Sequence, residues 1–265
     1  MPRPWQPSPG IKLSLAVHGA AGVAVLAAPA AWPWALAVVA INQAVISSAG
    51  MLPRSTLLGP NLNRLPAAAA ARGEIALTID DGPDPEVTPR VLDLLDAAGV
   101  RASFFCIGGV ARRQPALCRE IVARGHRVEN HGDGHSWRFA TFGMRRMRAD
   151  ITAAQATLSE ISGQAPRFFR PTAGLRNPLL DPVLAGLDLQ LASWTRRPFD
   201  TSTGDPDTVL GRLTRGLAAG DILLLHDGNA ARTQSGEPVI LAVLPRLLAA
   251  IRERQLNPVT LHDAT

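Results

Sequence analysis

The pattern of apolar and polar positions divides the chain into two regions. Residues 13–52 contain no Asp, Glu, Lys or Arg and form two apolar runs, 13–31 and 35–52, on either side of a Trp-Pro-Trp turn. Each run has about the 20 residues with which a helix crosses the hydrocarbon core of a bilayer, and aromatic residues beside a helix breaker are typical of the membrane interface. The pattern predicts that residues 1–52 are a membrane anchor formed by an N-terminal transmembrane helical hairpin.

Two other interpretations of the apolar region stay open: a signal peptide followed by one span, or one span followed by an interfacial helix. Basic residues flank the hairpin and are missing from its turn, with Arg3 and Lys12 before it and Arg54, Arg64 and Arg72 after it. Because cytoplasmic segments beside membrane spans are enriched in Lys and Arg, a cytoplasmic position of the following domain is favoured over a periplasmic one. The predicted location is the inner membrane of a bacterium.

The pattern changes after the anchor. Residues 53–72, rich in proline and alanine, are predicted to be a linker, and residues 73–265 one α/β domain. Strands are predicted at Glu74–Ile79, Ala102–Ile107, Arg127–Glu129, Phe168–Arg170, Leu189–Trp194, Ile222–Leu225 and Pro258–Leu261. Helices are predicted between them at Pro89–Ala98 with Thr88 as its N-cap, and at Pro115–Arg124, Met144–Ile161, Pro178–Ala185, Pro206–Ala218 and Val239–Arg254. Strands that alternate with helices in this way predict a parallel barrel, which carries its functional residues at the C-terminal ends of the strands.

The charge balance and the cysteines limit the possible functions. The net charge is +5, but all 22 acidic residues lie after residue 72, so the excess of positive charge belongs mainly to the N-terminal region. No stripe of Lys and Arg with interleaved aromatic residues appears, which excludes nucleic acid as a predicted partner. Cys106 and Cys118 lack the spacing of a metal or redox motif, so two buried free thiols are favoured over a disulfide.

Two adjacent carboxylates, Asp80 and Asp81, end the first predicted strand, and Gly82-Pro83 follows at once. Because side chains alternate along a strand, the two carboxylates cannot point the same way while the strand stays regular. One is therefore able to reach a metal ion while the other reaches a reacting proton. The alternative is a turn in which both carboxylates cap the backbone.

Two histidines, His131 and His135, follow the third predicted strand in an HxxxH spacing. This spacing places two imidazoles on one side of a helical turn, which is a common source of two metal ligands. With Asp81 they would supply one carboxylate and two imidazoles and leave positions for water and substrate, as in a catalytic metal site. The alternative is a pair of surface histidines.

Four more distinctive residues lie at or after predicted strand ends. His226 ends the sixth strand, where an imidazole is well placed to act as an acid or base near neutral pH. Arg170 ends the fourth strand, where it could hold a carboxylate in a two-pronged hydrogen bond. Trp194 ends the fifth strand, and Asp200 follows it. The alternative roles are a histidine bonded to backbone and a surface arginine before a turn.

The ordered motifs resemble those of the polysaccharide deacetylase family, also called the NodB homology domain or carbohydrate esterase family 4. The motifs are Asp80-Asp81-Gly82-Pro83, His131-x-x-x-His135, Arg170-Pro171-x-x-Gly174, Trp194 with Asp200, and Leu225-His226-Asp227. The resemblance covers residues 74 to about 262. It implies a distorted (β/α)7 barrel and a metal-dependent removal of an N-acyl or O-acyl group from a sugar.

The resemblance also implies a role for each motif residue. Asp80 would be the general base, Arg170 would orient it, and Asp200 would support His226 as the general acid. The divalent metal, usually zinc, would be held by Asp81, His131 and His135. Substrate contacts would come from Trp194 and Leu225, which would wall a pocket for the acyl methyl, and from the backbone N–H of Ala173, which would stabilise an oxyanion.

The chain departs from the family pattern at several positions around these motifs. The family often has Ser or Thr at Gly132, proline at Thr172, an aromatic residue at Ala173, an acid at Arg197 and tryptophan at Thr201. None of these positions belongs to the implied metal or acid–base set. The sequence thus predicts a membrane-anchored deacetylase acting on a polysaccharide or lipid-linked sugar. The alternatives are a catalytically silent glycan-binding protein of the same fold and a metal-dependent phosphatase.

Overall fold

The computed structural model describes residues 4–265, so the flanking base Arg3 lies outside it. The apolar region forms two helices, α1 (Pro9–Ala27) and α2 (Trp32–Met51), joined by a short 3-10 turn at Pro29–Ala31. Both helices begin a few residues before their predicted starts. Their length and apolar composition would allow each of them to cross a membrane.

Polar side chains join the two helices into the predicted hairpin. The Asn42 Nδ2 atom donates to Ser14 Oγ at 2.8 Å, and Gln43 Nε2 lies 3.0 Å from His18 Nε2. Since only the four residues 28–31 separate the two helices and their side chains are in contact, the helices fold back on each other and run antiparallel. Most large apolar side chains of both helices are exposed within the described chain, as lipid-facing residues would be.

Seven parallel strands form the sheet. The strands are β1 (Glu74–Asp80), β2 (Ser103–Cys106), β3 (Arg127–Asn130), β4 (Phe168–Phe169), β5 (Gln190–Leu191), β6 (Ile222–His226) and β7 (Asn257–Val259). The remaining helices are α3 (Ala67–Ala71), α4 (Thr88–Ala98), α5 (Gly108–Arg113), α6 (Pro115–Ala123), α7 (Met144–Ser162), α8 (Leu180–Gly186), α9 (Pro206–Thr214), α10 (Val239–Glu253) and α11 (Leu261–Ala264). The alternation of strands and helices confirms the predicted α/β class.

The strand order is β5-β4-β3-β2-β1-β6, and β7 pairs with the first three residues of β1. β4 and β5 have two residues each and are shorter than predicted, because the chain after β5 leaves the ladder. That chain meets β6 through one isolated bridge between Arg196 and Leu223. The barrel is therefore closed irregularly, as a distorted barrel implies.

Alternation along β1 separates the outer core from the barrel interior. Ile75, Leu77 and Ile79 are buried in the cluster that packs under the surrounding helices. Ala76 belongs to a second cluster that includes interior residues of other strands. Thr78 lies on the same side as Ala76 and accepts a hydrogen bond from the buried Arg170. Polar groups therefore occupy the part of the interior near the C-terminal ends of the strands.

The segment predicted to be a linker packs against the sheet. Leu58, Leu65 and Ala69 are buried, and the Leu62 N–H donates to the Leu191 carbonyl at 2.9 Å. Apolar side chains at spaced positions of this proline-rich stretch fill gaps along the sheet and beside the hairpin. The end of α2 is thus held against the barrel and is not separated from it by a free tether.

Candidate active site

The two adjacent carboxylates both line one cavity of about 470 Å³ at the C-terminal ends of the strands. Asp80 is the last residue of β1. Asp81 follows with a φ of 77°, a left-handed backbone conformation that is rare for residues other than glycine. This turn ends the strand alternation, so the two side chains reach the same space. A cis peptide bond between Gly82 and Pro83 follows.

Asp80 forms a fully buried ion pair with Arg170. Arg170 Nη1 donates to Asp80 Oδ1 at 2.6 Å, and the guanidinium has no exposed surface. The contact uses one carboxylate oxygen and one nitrogen, so the predicted two-pronged bond is wrong. The reason is that the other donors of Arg170 are occupied by Thr78 Oγ1 and by the carbonyls of Ala192 and Ser193. This network fixes the position of the Asp80 carboxylate.

The predicted metal ligands Asp81, His131 and His135 lie together. Asp81 Oδ1 is 3.1 Å from His131 Nε2 and 3.0 Å from His135 Nε2, and one donor atom from each residue lies within 4.8 Å of the others. The predicted helical turn between the histidines is wrong. Gly132 and His135 have positive φ angles of 78° and 44°, so the segment is an irregular loop.

Side chains outside the motif hold this loop in place. The Asp150 carboxylate accepts hydrogen bonds from the backbone N–H groups of Asp133 and Gly134, and Asn130 Oδ1 accepts from the Gly132 N–H. A Cβ on Gly132 would lie 2.7 Å from Asp150 Oδ2, so a larger residue would displace the supporting carboxylate. The glycines between the two histidines therefore allow Asp150 to approach the loop backbone.

The hydrogen bond at His131 Nδ1 determines which nitrogen faces the cavity. Nδ1 lies 2.7 Å from the Arg170 carbonyl, which only accepts, so Nδ1 carries the proton. In the neutral ring, the Nε2 lone pair then faces the Asp81 carboxylate, and only a proton or a cation between them makes this contact favourable. Burial opposes the charged imidazole, but Asp80 and Asp81 outweigh it and raise the pKa of His131.

The same competition acts on Asp81. Burial alone would raise the pKa of this carboxyl, but hydrogen bonds from His131 and His135 hold it well below its usual range. The carboxylate also accepts a hydrogen bond from Asn229 Nδ2 at 3.2 Å. Asp81 is therefore an anion in a site with two inward-facing imidazole nitrogens, which is the donor set of a divalent cation site.

His226 ends β6 and is held by Asp200. Its Nδ1 donates to Asp200 Oδ1 at 2.7 Å, so Nε2 is left for the cavity that both His226 and the carboxylate pair line. Burial disfavours the imidazolium, but the charge and hydrogen bond of Asp200 overcome this effect and raise the pKa of His226 to about 9. The ring is therefore protonated at neutral pH before any further charge enters the site.

The predicted substrate contacts are only partly brought together. Trp194 and Ala173 line the cavity, and the Ala173 N–H, with φ of 55°, makes no hydrogen bond within residues 4–265. Leu225 does not line it, because it points into the apolar cluster under the helices. Its neighbour Leu224 lines the cavity, as the alternation of side chains along β6 requires.

Six residues that line the cavity were not predicted as part of the site: Trp137, Arg197, Thr201, Ser202, Leu224 and Asn229. Asn229 contacts Asp81, while Trp137 and Arg197 line the walls. Asn229 follows the sixth strand end by three residues, and Trp137 follows the second motif histidine by two. The position after a strand end was therefore the available signal, but residue type alone gave no reason to select them.

Comparisons with known proteins identify the family of this chain. The sequence model of the polysaccharide deacetylase family matches residues 68–192. A peptidoglycan-N-acetylglucosamine deacetylase of Bacillus cereus is 31% identical over 191 residues, which cover 71% of this chain and 86% of that protein. A chitooligosaccharide deacetylase of Sinorhizobium fredii is 31% identical over 199 residues, which cover 73% of this chain and 92% of that protein.

A solved structure carries the same fold. The family 4 carbohydrate esterase of Streptomyces lividans, determined in complex with acetate, matches with a TM-score of 0.64 and 28% identity over 72% of this chain and 95% of that one. The resemblance inferred from the ordered motifs is thereby confirmed. The chain belongs to the polysaccharide deacetylase family of carbohydrate esterases, whose named relatives are hydrolases that act on carbon–nitrogen bonds.

Proposed function

We propose that this protein is a membrane-anchored, metal-dependent deacetylase that hydrolyses the N-acyl group of a sugar in a polysaccharide or a lipid-linked glycan. The observation that carries the proposal is the convergence of three kinds of group on one cavity. A buried carboxylate fixed by an arginine, a carboxylate with two imidazoles, and a histidine backed by a second carboxylate all face the same space.

The side chains of Asp81, His131 and His135 would hold the divalent metal, and zinc suits this combination of nitrogen and oxygen donors. The support is the contact between the His131 Nε2 lone pair and the Asp81 carboxylate, which needs a positive charge between them. A bound metal would supply Lewis acidity, which lowers the pKa of water and polarises an acyl carbonyl.

Asp80 is proposed as the general base. Its Oδ1 is occupied by Arg170, while Oδ2 lies 3.8 Å from His131 Nε2 and faces the metal-ligand cluster. A water molecule attacking the acyl carbon in this space would give its proton to Asp80. Arg170 acts as a positioning residue, because its hydrogen bond fixes the buried carboxylate in place.

His226 is proposed as the general acid. The Asp200 hydrogen bond fixes its Nδ1 proton, so the proton on Nε2 is the one available to the leaving nitrogen of the sugar. The Ala173 N–H faces the same cavity with no partner in the described chain and would donate to the oxyanion that forms during attack. Trp194 would limit the space beside the acyl group.

The hairpin is proposed to hold the domain at the bacterial inner membrane. The Gly50 carbonyl at the end of α2 accepts from the Arg176 N–H at 3.0 Å, so α2 contacts the loop that carries Arg170 and Ala173. This loop borders the cavity, so a hairpin inserted in the membrane would hold the site close to the membrane surface, which would suit a lipid-linked substrate. The bases Lys12 and Arg54 beside the hairpin favour the cytoplasmic side.

The test is acetate release by the purified full chain from a panel of free, polymeric and lipid-linked N-acetyl sugars, with and without chelator. Release that stops with chelator and returns with zinc supports the proposal. Binding of the sugars without acetate release, in the presence of added metal, would instead identify a silent glycan-binding protein. Reporter fusions at Thr265 would report which side of the membrane the domain occupies.

A further inference from the structure

One cation in the cavity has no role in the proposed mechanism. Arg197 lies between β5 and α9 and lines the same cavity as Asp80 and His226. Its guanidinium carbon is 5.3 Å from the ring centroid of Trp194 and 4.7 Å from that of Phe199. Both contacts are within the range of cation–π interactions, so the two aromatic rings hold the guanidinium in a defined position.

Arg197 is half-buried but makes no hydrogen bond and no ion pair with any of residues 4–265. Other half-buried or buried arginines near it are bonded: Arg170 to Asp80 and Arg196 to Asp221. Burial lowers the pKa of Arg197, while the charges of Asp200 and Asp80 act in the opposite direction without contacting it. The N–H donors of Arg197 are therefore available to a ligand.

We propose that Arg197 is a specificity-determining residue that binds a negatively charged phosphate or carboxylate group of the sugar substrate. The inference rests on the proposed function, since it names the substrate class of the same site. A planar guanidinium matches the geometry of phosphate and carboxylate groups and binds them through paired N–H donors. A neutral sugar would leave these donors unpaired in a partly desolvated wall, which lowers its affinity.

The surroundings of Arg197 indicate where such an anion would come from. A Cβ placed on Gly174 would lie 2.6 Å from both Trp194 Cη2 and Pro53 Cβ, so the ring that stacks on Arg197 lies beside the start of the segment that follows the hairpin. Arg54 Nη1 also donates to the Thr195 carbonyl at 3.3 Å. The Arg197 side of the cavity is thus the side nearest the membrane, where the phosphate of a lipid-linked sugar would lie.

Calorimetric titration of the full chain in detergent tests the inference without requiring turnover. The probes are N-acetylglucosamine, N-acetylglucosamine 1-phosphate, N-acetylmuramic acid and inorganic phosphate. We expect the 1-phosphate or the muramic carboxylate to bind about 10-fold or more tightly than the neutral sugar, as a charge-assisted pair requires. Arg197→Gln should reduce the affinity of the anionic sugar to that of the neutral one, and Arg197→Lys should retain part of the preference.

The matched control is Arg119→Gln, which removes the same charge from the exposed face of α6, and it should leave the preference unchanged. The ratio of anionic to neutral affinity within one protein would not change if Arg197 only stabilised the fold. An unchanged ratio in Arg197→Gln, or equal affinities in the unmodified protein, would overturn the inference.

Acetate release then separates the two sources of the anion and the two proposals. Faster release from a prenyl-phosphate-linked N-acetyl sugar than from the free 1-phosphate identifies a lipid headgroup, while equal rates identify a soluble sugar phosphate. Loss of release from every sugar, with Arg197-dependent anion binding intact, would contradict the proposed function and leave the anion site supported. Release from neutral and anionic sugars at equal rates in all variants would support the proposed function and contradict the anion site at Arg197.

Discussion

The Asp200 carboxylate contacts His226 at two points. Its Oδ1 accepts from the Nδ1–H of His226 at 2.7 Å, and its Oδ2 accepts from the His226 backbone N–H at 2.9 Å. The side chain of Asp200 is fully buried, so little solvent screens the interaction. The arrangement fixes the orientation of the imidazole ring and raises the pKa of His226 to about 9.

Asp200→Asn is expected to shift the pH dependence of the reaction. His226, as the proposed general acid, would work in its protonated form, so activity should fall as the pH rises through its pKa. Loss of the Asp200 charge lowers that pKa, because burial then acts with less opposition. The basic limb of the kcat/KM profile should therefore move to lower pH by about one to three units.

The measurement is the pH profile of acetate release for the two proteins at saturating metal. The cation proposed for the site affects the unmodified protein and Asp200→Asn alike, so the difference between their pH profiles reports the effect of the Asp200 carboxylate alone. Asp205→Asn, a substitution at the exposed N-cap of α9, is the matched control and should leave the limb where it is. A basic limb at the same pH in Asp200→Asn would contradict the role of His226 as the acid.

Asp81→Asn is expected to lower metal affinity by at least about 100-fold, the upper end of the cost of losing a supporting residue around a metal. The amide removes the negative charge that faces both imidazole nitrogens, so the remaining donors are neutral. The metal content of the purified protein, measured by mass spectrometry after dialysis against a weak chelator, checks this result.

Glu86→Gln is the control for that experiment. Glu86 lies five residues further along the chain, and its side chain is 81% exposed, so the change removes the same charge outside the cavity. We expect it to retain the metal content of the unmodified protein. Equal metal retention by Asp81→Asn would show that the metal, if any, is held elsewhere.

Much of the fold followed from the sequence because its elements are local. Helix α4 ends at Ala98 as predicted, since Gly99 adopts the left-handed conformation that ends it, and it begins at Thr88, one residue before the predicted start at Pro89. The motif residues Asp80, Arg170 and His226 also lie where strand ends predicted them, because parallel strands place their C-terminal ends at one edge.

The remaining features depend on contacts between distant parts of the chain. The position of Leu225 in the core depends on the phase of β6, which is set by its pairing with β1. Arg170 makes only one hydrogen bond to Asp80, because its other donors bind the carbonyls of Ala192 and Ser193. Residue types alone carry no information on such pairings, so the sequence assigned Trp194 and Ala173 to the cavity walls but not the other wall residues.

Arg170→Ala is expected to destabilise the protein by about 3–5 kcal/mol, because Asp80 would remain as an uncompensated buried charge. The thermal midpoint in detergent should fall by roughly 6–20 °C for a domain of this size. Asp80→Asn in the same background should restore part of the loss, because it removes the unpaired charge. The exposed Arg119→Ala is the control and should stay within about 0.5 kcal/mol. A similar small effect for Arg170→Ala would contradict the importance of the pair.

The proposed membrane anchor makes a prediction about the exposed faces of the hairpin. Leu15 on α1 is 63% exposed, and Val38 on α2 is 48% exposed. If these faces contact lipid, the unmodified protein stays in the membrane fraction after an alkaline carbonate wash. Leu15→Arg with Val38→Arg should release it, because each arginine at the centre of a span costs about 2.5–3.5 kcal/mol.

Leu179→Arg is the matched control, since Leu179 is an apolar residue of the barrel domain with 39% exposure, and the protein should stay in the membrane fraction. Thermal unfolding of all variants in detergent separates release from misfolding. Extraction of the unmodified protein by carbonate, or equal retention of the double variant, would contradict the anchor. Retention that depends on Leu15 and Val38 would place lipid on the hairpin surface, and through the contact of Gly50 with Arg176 it would place the catalytic cavity beside the bilayer.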